Sequence, residues 1–110
     1  MGIRLDKPWT DLTRENIAAL PAQMGVYHIA DSEGTVGVIG YAGGQELFGM
    51  RSALERELEA ATDGARYRYE FNHNYMSRYD ELLMLHLADH GELPPANHAE
   101  TARVGRLSPA

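Results

Sequence analysis

There is no cysteine among the 110 residues of this chain, and that one absence removes disulfides, thiolate zinc sites and cysteine nucleophiles together. Positive charge is also short. Sixteen acidic residues stand against ten basic ones, for a net charge of -6, which argues against broad, non-specific binding to a phosphate backbone but leaves room for a local basic patch. Nine of the ten basic residues are arginine, the side chain suited to bidentate recognition of phosphate or carboxylate. Long apolar runs are missing as well, with none near the ~18 residues a membrane helix requires. The opening MGIRLDKPW has no apolar stretch of the kind a signal peptide carries. A soluble cytoplasmic protein is the expectation.

What the chain does contain is enough for one core: 44% apolar residues, with tyrosines and leucines spread along its length, at a size typical of a single domain. WTDLTRENIAALPAQ offers caps at Thr10 and Thr13, apolar Ile17 and Leu20, and a stop at Pro21, which reads as a short helix. GVYHIA and TVGVIGYA, joined by the turn residues DSEG, read as a β-hairpin. After Gly43-Gly44, the stripe Leu47, Met50, Leu54, Leu58 and Ala61 predicts an amphipathic helix whose regular part starts near Met50, because Gly49 weakens what precedes it. RYRYEF alternates as a third strand, with Tyr67, Tyr69 and Phe71 on one face, either core or a stacking platform. SRYDELLMLHLADHG has Ser77 as N-cap and Gly91 as C-cap of a second long helix. The predicted fold is α/β, a small three-stranded, mainly antiparallel sheet flanked by helices. One domain spans 1–97, and 98–110 reads as a flexible tail for want of apolar periodicity.

Gly25-Val26-Tyr27 on the first hairpin strand, Val38-Ile39-Gly40 on the second, Arg51 on the following helix, Glu81 on the later one and Asn97 in the segment after it together resemble the GIY-YIG endonuclease superfamily over about residues 20–97. The resemblance implies hydrolysis of a phosphodiester in nucleic acid, DNA rather than RNA, with one Mg2+ or Mn2+ held by Glu81. It implies Arg51 as the clamp on the scissile phosphate and Tyr27 as a positioning or acid/base hydroxyl. Gly40, Gly43, Gly44, His73 and Asn97 would border the substrate, and specificity would come from a protein partner or a homodimer.

Two features depart from that pattern. Val38 stands where the family carries a tyrosine, and a valine moves no proton; Tyr41 replaces it only if the strand bulges at Gly40. Glu55 lies one turn after Arg51 and can pair with it at i,i+4. Three readings are therefore open: a metal-dependent endonuclease weakened by Val38, a GIY-YIG-like module that no longer cleaves, and a binder of a small anionic ligand. His86 and His90, four apart, lack a third metal ligand at a clear spacing and read as structural.

Overall fold

The computed structural model describes residues 3–105. In chain order the elements are β1 (Thr10–Asp11), α1 (Arg14–Ala18), β2 (Gly25–Ala30), β3 (Val36–Ala42), α2 (Met50–Ala60), β4 (Arg66–Phe71) and α3 (Tyr75–His90), followed by a 3-10 segment (Pro95–Glu100) and α4 (Thr101–Gly105). The fold is α/β, as its residues predict, but the sheet has four strands rather than three, in the order β1-β4-β2-β3 and antiparallel at every pairing. The extra strand is the two-residue β1, which pairs Thr10 with Tyr67 and Asp11 with Arg66. It falls where the sequence reads as helix, and a two-residue strand is too short to show a period of two.

Alternation along β2 sorts side chains to the two faces of the sheet. Tyr27 and Ile29 join Ile17 of α1, Met50, Ala53 and Leu54 of α2 and Tyr67 of β4 in one core. Val26 and Ile39 join Leu82 and Leu83 of α3, Leu93 and Val104 in the other. Tyr67, Tyr69 and Phe71 stack in succession along β4, with centroids 6.0 and 5.0 Å apart, and pack against the first core. The platform is thus core surface.

The helices begin and end for identifiable reasons. Thr13 caps α1 by accepting the Asn16 N–H at 3.2 Å. α3 starts two residues before Ser77, with Asn74 as its N-cap, and stops at Gly91, whose φ of 79° is the left-handed conformation that suits glycine. Asp31 closes the hairpin turn by accepting from the N–H groups of Glu33 and Thr35.

Of the segment that reads as a flexible tail, residues 98–105 lie in the 3-10 segment and α4; residues 106–110 lie outside the described part. Val104 is buried, and Arg103 pairs with Asp80 and Glu100. One buried apolar residue and one ion-paired arginine hold α4 to α3, and neither generates a periodic pattern.

Asn97 is the pin of this layer. Its side-chain oxygen accepts from the Ile39 N–H at 2.9 Å, while its amide donates to the Ile39 carbonyl at 2.9 Å and to the Tyr79 hydroxyl at 3.1 Å, all three bonds buried. It saturates the outer edge of β3 at Ile39. Asn97→Ala leaves a buried N–H and a buried carbonyl unpaired, and a loss of about 2 kcal/mol is expected, measured as a fall in the urea midpoint at unchanged m-value.

Candidate functional site

A cavity of about 470 Å³ opens at the end of β3. It wraps the sheet's outer edge, so it is lined by Tyr27 from one face and by Tyr41, Tyr75 and Tyr79 from the other, with the Gly43-Gly44 loop and Arg56 at its rim. Tyr27 and Gly40 are register partners across β2 and β3, and the phenol lies directly over the glycine. A Cβ on residue 40 would sit 2.2 Å from Tyr27 Cζ. Gly43 is required for a similar reason, since a Cβ there would come within 2.9 Å of the Tyr75 ring.

The four phenols differ in what they can offer. Tyr27 is buried and donates to Glu57 Oε2 at 2.6 Å. Burial first, and the Glu57 charge second, push its pKa far above the ordinary tyrosine value. Burial and the hydrogen bond to Glu57 both favour the protonated phenol. Tyr75 accepts from the Gly44 N–H at 3.3 Å and Tyr79 accepts from Asn97, so each keeps its own proton for donation. Tyr41 is 40% exposed. It stacks on Tyr75 at 5.8 Å and meets Tyr79 edge-on at 5.0 Å.

Arg56 is the cation at the rim. Its guanidinium is held bidentately by Glu46, at 2.7 and 2.5 Å, and the arginine keeps Glu46 below its ordinary pKa, chiefly through that hydrogen bond. Two N–H groups are used in the pair, and the other three donors of the fork have no partner among the described residues.

A family model described as Domain of unknown function (DUF7508) matches residues 3–89. The chain belongs to this family. No curated protein and no solved structure matches it.

In this DUF7508 domain, Tyr27, Tyr41, Gly40, Gly43 and Gly44 come together in the cavity, while Arg51, Glu81, Asn97 and His73 do not line it. Arg51 stacks its guanidinium over Phe48 at 5.1 Å. Neither a carboxylate nor Glu55 pairs with it among the described residues. Glu81 is turned away by helix geometry. It lies two residues past Tyr79, about 200° around α3, and its carboxylate is taken by Arg78. Arg78 also binds Glu70 through two further hydrogen bonds. His73 borders a separate cavity with Gln23 and Phe71, and Asn97 serves the β3 edge as described above.

The one carboxylate of Glu81 is paired with Arg78 in this structure, and a Mg2+ ion held through a single carboxylate and waters would have to compete with that arginine. Sequence reasoning missed Arg56, Glu46, Glu57, Tyr75 and Tyr79. The charges of LERELE look like a solvated helix face, so nothing marks Arg56. Tyr75 and Tyr79 did leave a signal, as two tyrosines four residues apart at the start of a helix and therefore on one face.

Proposed function

We propose that this chain is a GIY-YIG-like module that does not cleave and instead binds a small anionic ligand in the tyrosine-lined cavity. What carries the reading is the cavity's supply of donors: the hydroxyl protons of Tyr41, Tyr75 and Tyr79 and the free N–H groups of Arg56 border one space of about 470 Å³, within the usual 300–1,000 Å³ of small-molecule sites. Such donors complement phosphate or carboxylate oxygens. Tyr27 opposite Gly40 on neighbouring strands is in keeping with the GVY and VIG resemblance. The commitment of Glu81 to Arg78, and a valine at position 38, favour loss of cleavage. A polymer of phosphates is the less favoured ligand, because the chain is acidic overall and one arginine at the rim serves one anionic group rather than a row of them.

Titration of 15N-labelled protein with inorganic phosphate should shift the Gly43 and Gly44 amides and leave Arg56→Gln unmoved. Single-stranded, flapped and nicked DNA and RNA should stay uncut with Mg2+ or Mn2+. Cleavage that disappears in Glu81→Ala would restore the nuclease, and silence of the loop amides at saturating phosphate would end the binding reading.

A further inference from the structure

We propose that the ligand of this cavity is a mononucleotide whose base carries a 6-aminopurine edge, an adenosine 5′-monophosphate type of molecule, read by the backbone of Tyr41; this rests on the anion-binding reading above.

Successive residues of an edge strand point their N–H and C=O alternately toward the neighbouring strand and away from it. Ile39 points both groups away from β2, because Asn97 occupies them. Two residues on, Tyr41 must present its N–H and C=O to the same open side, and the only irregularity in the β2-β3 register lies elsewhere, at Ile29/Ala30. Tyr41 also lines the cavity.

The occupant of the Ile39 position identifies what the Tyr41 position would accept. Asn97 satisfies one residue's N–H and C=O with a single planar group that carries an acceptor and an amino donor side by side, at 2.9 Å each. The N1/N6 edge of adenine has that same pair: N1 accepts and the 6-amino group donates. A planar ring bonded there extends the sheet past β3. Its two faces then lie between Tyr27, on the α2 side, and the Tyr75 and Tyr79 rings on the α3 side, which is the aromatic surface a base needs. The phosphate reaches the rim, where Arg56 keeps three N–H donors and Tyr75 a hydroxyl proton. With the phosphate fixing the orientation, hypoxanthine reverses the pattern. It sets a carbonyl against the Tyr41 carbonyl and an N–H against the Tyr41 N–H.

Calorimetry on the full chain with adenosine 5′-monophosphate, inosine 5′-monophosphate and ribose 5-phosphate separates the possibilities. The adenine nucleotide should bind about tenfold or more tighter than the inosine one, the cost of two mismatched hydrogen bonds. It should also shift the Tyr41 amide in a 15N spectrum. Arg56→Gln should weaken adenosine 5′-monophosphate and ribose 5-phosphate by a similar factor and leave free adenosine unchanged. Equal affinity for the adenine and inosine nucleotides, with ribose 5-phosphate still bound, overturns base reading and leaves the anion site standing. Failure of all three to bind overturns both.

Discussion

Replacing Arg78 with alanine is expected to cost about 3 kcal/mol of folding stability, toward the lower end of what removing one partner of a buried ion pair costs. Arg78 is only 9% exposed. Its Nε and Nη2 donate to the two oxygens of Glu70 at 2.9 and 3.1 Å, and Nη1 donates to Glu81. The arginine ties α3 to β4, which lies beyond β2 from the helix's main packing partners. Glu70, which also accepts from Asn72 at 3.2 Å, is held below its ordinary pKa against its own burial, by Arg78 foremost. Without the guanidinium, two carboxylates face each other with no cation between them. Both keep a quarter to a third of their side chains in water, which limits the loss. For a domain of this size, ~3 kcal/mol corresponds to a fall of roughly 15 °C in melting temperature. Glu81→Gln is the informative companion. It leaves the bidentate Arg78–Glu70 pair in place, so a loss under about 1 kcal/mol is expected. If Glu81→Gln instead costs as much as Arg78→Ala, the Glu70 pair is not what holds the helix. If Arg78→Ala costs less than 1 kcal/mol, the cluster contributes little to folding.

The same arginine explains why the sequence was legible in some places and opaque in others. Strands β2, β3 and β4 and helix α2 were visible because alternation and the 3.6-residue period are properties of a local stretch, and Tyr27 opposite Gly40 follows once a hairpin closes over DSEG. The role of Glu81 was not visible. Whether a carboxylate on a helix faces a cavity depends on which neighbour claims it, and Arg78, three residues earlier, looks from sequence like any surface i,i+3 partner. Arg56 was hidden for the opposite reason. It sits in a run of charges, and only the fold brings Glu46 and the β3 edge beside it. Asn97 was legible as a singled-out residue of the segment after α3. Its partner Ile39, 58 residues earlier, was not. Short elements such as β1 and α4 are fixed by their tertiary partners and, at two and five residues, are too short to carry a periodic signal.

Buried titration predicts the second large effect, an acid sensitivity centred on His28. The imidazole faces the α3 side of the sheet and is 7% exposed. Its Nδ1 accepts from Arg68 Nε at 3.1 Å, and Arg68 in turn stacks over Trp9 at 4.0 Å. Burial, then the Arg68 charge, then His86 of α3 and Arg78 lower its pKa to about 3. In the unfolded chain the ring titrates near 6.5. Between those values the unfolded state binds a proton that the folded state refuses, so stability falls as pH falls, at up to ~1.4 kcal/mol per pH unit. His86, whose pKa is lowered chiefly by burial, acts in the same direction. The carboxylates held down by arginines, Glu46, Glu70 and Asp89, lose their contributions only as pH drops through and below their ordinary range. The interval from pH 6.5 to 4.5 therefore belongs mainly to His28, and a loss of about 2–3 kcal/mol across it is expected. His28→Gln keeps an acceptor for Arg68 and removes the titration. Urea midpoints at pH 7.0, 5.5 and 4.5 should fall steeply for the parent chain and clearly less for the variant, which keeps the His86 contribution. Parallel declines in the two proteins would assign the acid sensitivity to the carboxylates and remove His28 from the account.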